Sequence, residues 1–257
     1  MSRQMLLAIV VGACVLPAAA SGARDPRSLP NARPLAVSRL QLVFDDEFAG
    51  PTLDLKRWEP YNSPGNGGHG LRSPSAFGFD GRGDLVVTAQ MSNGVLVSGG
   101  MASRLNQTYG YYEFRVRTEA DPTGTISGVV LTWPQSGQWP TDGETDMYET
   151  QDGGGHTPFR SFVHFGSDNQ QHYTTHEADG AKWHVIGMAW SPDSITLYRD
   201  GVRVWRTTDP KAIPHVPQHV CIQLDATSNG TLNGPVRMYV DYVRVWRWRT
   251  PPPLLRH

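Results

Sequence analysis

Short apolar runs separated by turn residues succeed one another along most of the chain. The segments RLQLVFDDEF (39–48), GDLVVTAQ (83–90), YGYYEFRVRTEA (109–120), GVVLTWP (128–134), GETDMYETQ (143–151), SFVHFG (161–166), WHVIGMAW (183–190), SITLYRDGVRVWRT (194–207), VCIQLDA (220–226) and RMYVDYVRVWRW (237–248) all carry β-branched and aromatic residues. Several alternate with a period of two, the signature of a half-buried strand. Asp-Gly at 200–201 sits between two alternating runs, which marks a hairpin. No window of helical length carries an apolar stripe at 3.6 spacing, and DPKAIPHV (209–216) is long enough for one turn only. The pattern predicts an all-β domain of ten or more strands. At this length, two sheets packed face to face suit it better than a small barrel.

The ends read differently. MSRQ followed by the apolar run MLLAIVVGACVL and the small residues PAAASGA predicts a signal peptide over 1–23, cleaved near Ala20 or Ala23. The apolar run is too short to span a bilayer. VGAC also loosely resembles a lipoprotein signal, so anchoring through Cys14 is the alternative to free secretion. Residues 24–38 are rich in Pro and Arg without periodicity and read as a linker, and 250–257 as a tail, which leaves 39–249 as the domain. Beyond the leader there is one cysteine, Cys221, so no internal disulfide is expected and the fold rests on its core.

The chain has 257 residues, enough for one large domain, with 23 basic and 24 acidic side chains. That balance gives no electrostatic case for nucleic acid or an anionic membrane. Against it, the segment GETDMYET (143–150) is unusual: Glu144, Asp146 and Glu149 crowd three carboxylates into one strand. Residues two apart share a strand face, so Glu144 and Asp146 point together, while Glu149 falls on the opposite face of a regular strand. One extra residue between Asp146 and Glu149, a β-bulge, returns Glu149 to their side. The competing reading is a solvated sheet face. Three acids brought onto one side suit glycoside hydrolysis with retention, which uses one carboxylate as nucleophile and one carboxylic acid as acid and then base, about 5–5.5 Å apart. Extended chain would hold the two glutamate Cα atoms roughly 13–16 Å apart, so the strand must be curved and the sheet concave. Asp146, between them, is placed to hydrogen-bond the nucleophile and hold the charges at distinct pKa values.

The stretch WPTDGETDMYET (139–150) resembles the bulged E-x-D-x-x-E signature of glycoside hydrolase family 16. Four further stretches, FDDEFAGPTLDLKRW, YGYYEFRVR, WHVIGMAWSPDSITLYRDGV and VDYVRVW, resemble that family's other landmarks in the same order, over roughly residues 40–248. The resemblance implies a concanavalin A-like jelly-roll sandwich with a substrate cleft across its concave sheet. It also implies Glu144 as nucleophile, Asp146 as the assisting carboxylate and Glu149 as acid/base. Trp139 matches a tryptophan that lies against the sugar, and His164 a histidine on the neighbouring strand; a core tryptophan and a structural histidine are the competing readings. A calcium ion is implied at Glu47, Gly83 and Asp241, away from the carboxylates, and no organic cofactor is expected. Ile126 and Val130 stand where the family often has tryptophans, so Trp133 is either a replacement platform or a core residue. The glycine-rich loop YNSPGNGGHGLRSP (61–74) offers Asn66 and Arg72 as donors to sugar hydroxyls, or is merely a flexible connection. Glu113, Arg115 and Arg117 alternate along one strand, whose plain reading is a solvated face, for Arg117 at least.

The expectation is a secreted, monomeric endo-acting β-glucan hydrolase, with β-1,3-glucan of the laminarin type first among its polysaccharide substrates. A transglycosylase on the same scaffold and a non-catalytic, lectin-like sandwich are the alternatives.

Overall fold

The computed structural model describes residues 39–150 and 158–249. The leader, linker and tail expected from the sequence lie outside the described residues. Within them the chain forms β1 (Leu40–Asp46), β2 (Trp58–Pro60), β3 (Ser63–Pro64), β4 (Leu71–Arg72), β5 (Phe77–Phe79), β6 (Leu85–Ser92), β7 (Val95–Ser103), β8 (Gly110–Thr118) and β9 (Ile126–Pro134). There follow β10 (Glu144–Glu149), β11 (Phe159–Phe165), β12 (Gln170–His176), β13 (His184–Ser191), β14 (Ser194–Arg199), β15 (Val202–Thr207), β16 (Gln218–Ala226) and β17 (Val236–Trp248). No α-helix is present among the described residues. The apolar segment at 209–216 closes a single turn, with the Ala212 amide donating to the Asp209 carbonyl at 3.0 Å.

The strands make two sheets. One runs β15–β14–β13–β8–β17, and the far edge of β17 is shared by β1 along its C-terminal half and β6 along its N-terminal half. The other runs β12–β11–β10–β9–β16–β7, with β2 and β4 beside β7. Pairing is antiparallel except between β4 and β7. The alternation read from the sequence has its cause here. Tyr112, Phe114 and Val116 of β8, Ile186, Met188 and Trp190 of β13, and Val220, Ile222 and Leu224 of β16 all project into one core between the sheets. Each such side chain contributes roughly 1.5–3 kcal/mol by leaving water. At Gly128 the sheets come so close that a Cβ would lie 2.2 Å from Thr118 Oγ1.

Parity breaks once on β17. Met238 and Val240 face the core, and so do Val243 and Val245. The register against β8 shifts between Val240 and Tyr242, a bulge that turns Asp241 and Tyr242 outward together. Outside this sheet, Arg115 donates to Asp241 at 2.7 Å and lies over the Trp183 ring, while Tyr111 and Tyr242 donate to Glu113. Glu113 and Arg115 are therefore buried in an ion-pair and aromatic layer rather than on the solvated face their alternation suggested. Arg117 keeps partial exposure, stacked on the Tyr239 ring.

Candidate active site

The second sheet carries a cleft of about 930 Å³ across its concave face, and Glu144, Asp146 and Glu149 of β10 line its floor. The chain enters β10 through Gly143 at φ +80, where a side chain would also meet Pro214 Cγ at 2.8 Å. Along β11 the pairs run Glu144↔His164, Thr145↔Val163 and Asp146↔Phe162, then jump to Glu149↔Arg160. Along β9 the jump falls between Asp146↔Leu131 and Tyr148↔Val130. One residue is extra, and the β9 register assigns it to Met147. As a result Met147 and Tyr148 both face the core, Thr145 is buried at 1 % exposure as a core-facing β-branched residue should be, and all three acids emerge on the cleft side. The two-then-three spacing is the trace of that bulge.

The acids are held in a constrained electrostatic state. Glu144 is pushed above the ordinary carboxylate range by burial and then by the charge of Asp146. Asp146 is raised by burial and then by Glu149, and it shares a hydrogen bond with Glu144. Two buried carboxylates this close share one proton. Two groups favour leaving the charge on Glu144. Trp139 Nε1–H donates to its Oε2 at 2.5 Å, and His164 sits nearby; both act against the rise. His164 Nε2 lies 3.1 Å from Asp146 Oδ2, while Nδ1 is 2.8 Å from Asn169 Oδ1. Donor atoms of Glu144, Asp146 and His164 lie within 4.8 Å of one another. The Trp139 N–H aimed at Glu144 suits a charge-and-proton site better than a cation.

Every side chain expected at the substrate lines this cleft: Trp139, His164, Asn66, Arg72 and Trp133. Trp139 is 41 % exposed and stacks on Trp133 with centroids 6.1 Å apart and planes at 11°, so the pair forms one aromatic wall. Ile126 and Val130 belong to the core instead, and the cleft-facing positions of β9 are Ser127, Val129, Leu131 and Trp133. A cleft aromatic on this strand is thus retained at Trp133 alone. Residues that sequence reasoning passed over support the site. Buried Gln218 accepts from Thr132 Oγ1 at 2.6 Å and donates to the Gly143 carbonyl at 3.1 Å, tying the end of the loop that carries Trp139 to β9 and β16. Asn169, Gln171, Gln223 and Asp225 line the cleft without any local motif to announce them.

Strand pairing also gathers the chain positions expected at a calcium ion. β1 ends with Asp46 opposite Val243, and β6 begins with Leu85 opposite Val240, so Glu47, Gly83 and Asp241 meet around the β17 bulge. The Glu47 carboxylate is taken by Arg244 and Asp241 is engaged by Arg115, so backbone carbonyls are the donors that would fit a cation there.

A two-sheet β-sandwich with a bulged carboxylate triplet on its concave floor is a scaffold and site of polysaccharide-cleaving type. The family model described as "Glycosyl hydrolases family 16" matches residues 75–244, and the chain belongs to that family. It is 24 % identical over 276 residues to glucan endo-1,3-beta-glucosidase A1 of Niallia circulans, covering 82 % of this chain but 38 % of that protein. It is 27 % identical over 265 residues to a beta-glucanase of Rhodothermus marinus, covering 81 % of this chain and 85 % of that one. Among solved structures it is similar to the laminarinase catalytic domain of Thermotoga maritima MSB8, with a TM-score of 0.71, 20 % identity and 82 % and 99 % of the two chains covered. The laminarinase of Rhodothermus marinus gives a TM-score of 0.72 at 22 % identity, with 82 % and 98 % covered. These likenesses bear out the jelly-roll sandwich.

Proposed function

We propose that the chain is an exported, retaining endo-β-glucan hydrolase that cleaves β-1,3-linked glucan. The observation that carries this reading is the bulge at Met147, which sets three carboxylates on one face of an open cleft at the cost of mutual repulsion. A sheet built only to fold, or only to bind sugar, gains nothing from that crowding. Glu144, with Trp139 N–H donating to it, is the nucleophile that attacks the anomeric carbon from the cleft floor. Asp146 keeps the shared proton, limits the charge beside Glu144 and is in turn held by His164. Glu149 protonates the departing glycosidic oxygen and then takes a proton from the water that releases the product. The Trp133–Trp139 wall orients the sugar ring. The names of the relatives incline the substrate toward β-1,3-glucan, and the open cleft suits attack within a polymer. The apolar segment at 5–16 and the small residues after it support export.

We also infer a structural calcium at Glu47, Gly83 and Asp241, which would tie β1 and β6 to β17 and take no part in the reaction. Chelation should then lower the melting temperature and added calcium restore it, by about 5–10 °C if a site filled to 100-fold above its Kd contributes roughly 2.7 kcal/mol.

Reducing-sugar release from laminarin, mixed-linkage glucan, agar and carrageenan by the purified domain tests the function. Release from laminarin above the other polymers is expected. Tight binding of laminarin without release would overturn the assignment.

A further inference from the structure

We propose that Ser161 and His176 are positioning residues that pin the β10 bulge from its core side and so hold Glu149 on the cleft face, without touching the substrate. The proposal rests on the retaining-hydrolase reading above and names what keeps its acid/base in place.

A bulge disrupts the ladder and leaves backbone groups to be satisfied by other means. On β11 the register passes from Asp146↔Phe162 to Glu149↔Arg160, so Met147 and Tyr148 together oppose the single residue Ser161. Ser161 is buried, and alternation puts it on the same face of β11 as Phe159 and Val163, which belong to the core. Its Oγ–H donates to the Met147 carbonyl at 2.7 Å, and the same oxygen lies 2.8 Å from His176 Nε2. The one hydroxyl proton is committed to the carbonyl, so Ser161 accepts from His176, whose N–H is therefore on Nε2. Burial holds the His176 imidazole well below its ordinary value, at about 4, so it carries a single N–H at neutral pH. Nδ1 is left as a buried lone pair with no partner among the described residues. The second residue of the bulge is fixed as well. The Tyr148 ring lies 4.9 Å from that of Phe159, which stacks on His176 at 4.5 Å, and Tyr148 Oη–H donates to the Gly180 carbonyl at 2.9 Å.

Where the extra residue sits decides where Glu149 points. With the extra residue at Met147, ahead of Glu149, the carboxylate shares the face of Glu144 and Asp146. A bulge that slid past Glu149 would restore regular alternation from Glu144 onward and turn that carboxylate to the core. The bond from Ser161 opposes the slide, because it is made to the Met147 carbonyl in the present register. Glu144 lies ahead of the bulge, paired with His164, so it does not depend on the pin. Loss of the pin should therefore fall on proton transfer and spare nucleophilic attack. Substrates whose leaving group needs protonation should suffer, and those with an activated leaving group should not. A residue that only packs the core would affect both alike.

The test compares kcat/KM on laminarin with kcat/KM on a dinitrophenyl β-laminaribioside, whose phenolate departs without protonation. Both are normalised to the folded fraction from circular dichroism. Ser161→Ala is expected to lower the value on laminarin about 10- to 100-fold, the cost of a misplaced general acid, and to change it less than about three-fold on the aryl glycoside. His176→Leu removes the donor to Ser161 and should show the same selective loss, several-fold in size. His176→Gln keeps an N–H close to the place of Nε2 and should stay within about two-fold of the parent on both substrates. Equal losses on the two substrates in Ser161→Ala, or no loss on either, would overturn the proposal while leaving the hydrolase reading intact. A His176→Gln variant as impaired on laminarin as His176→Leu would overturn the part assigned to His176. A parent that releases neither reducing sugar from laminarin nor dinitrophenolate from the glycoside would overturn the hydrolase reading and the positioning role with it.

Discussion

Deleting Met147 separates the bulge from the rest of the fold. Met147 has no exposed surface and belongs to the core, and it is the extra residue in the pairing of β10 with β9. Two variants isolate its two roles. Met147→Ala keeps the backbone count and leaves a cavity, at a cost of about 2–5 kcal/mol for a buried methionine. For a domain of this size that is roughly 4–20 °C in melting temperature. The acids stay on the cleft face, so activity per folded molecule should survive. Deleting Met147 removes the extra residue instead, and Glu149, then four positions after Glu144, stays on the cleft face by regular alternation. The acid/base is kept in the cleft, so turnover per folded molecule should survive the deletion, whereas its loss would lower turnover by about 10²–10⁴, the usual weight of general acid–base catalysis. Thermal melts followed by circular dichroism give the folded fraction, and laminarin hydrolysis normalised to it gives the comparison. A folded deletion variant whose turnover falls by that factor would refute the parity argument. A folded but inactive Met147→Ala variant would show that packing at this position controls the site.

Two further outcomes follow from the electrostatics. Trp139→Phe keeps an aromatic face but removes the N–H that favours ionised Glu144, so the acid limb of kcat/KM should move to higher pH; an unmoved limb would discard the hydrogen bond's role. Asp146 has its pKa raised in the folded state, so its contribution to stability is full below the unfolded value near 3.9 and is lost as pH rises through the folded one. Asp146→Asn should therefore melt higher than the parent at pH 8, by about 3–5 °C for each unit of upward displacement, with the gap closing toward pH 4. A parent more stable than Asp146→Asn at pH 8 would contradict that sign.

What the sequence disclosed depended on how local the cause was. The bulge was legible because parity is a local count: carboxylates two and then three apart on one strand demand an extra residue. β7 was not, because VLVSGGMAS reads as a broken strand, and its two glycines are dictated from outside. A Cβ at Gly99 would lie 2.8 Å from Val87 Cγ1, and Gly100 clears the Tyr61 ring. β12 was missed because QQHYTTH is a largely exposed polar strand at a sheet edge, with no apolar alternation to find. Glu113 and Arg115 alternate like surface residues, but aromatic side chains from distant strands cover them. Gln218 and Asp225 take their roles from partners more than seventy positions away, which no local pattern encodes.

The central claim is that Glu144 attacks the sugar and Glu149 handles the proton, and azide rescue tests it most directly. Glu144→Ala leaves space on the floor side of the ring, and azide entering there displaces an activated leaving group with inversion. Glu149→Ala still forms the covalent intermediate from an activated aryl β-glycoside, and azide then resolves it with net retention. Product NMR should show an α-glycosyl azide from Glu144→Ala and a β-glycosyl azide from Glu149→Ala. The β-azide from the Glu144 variant together with the α-azide from the Glu149 variant would contradict the assignment and exchange the two roles.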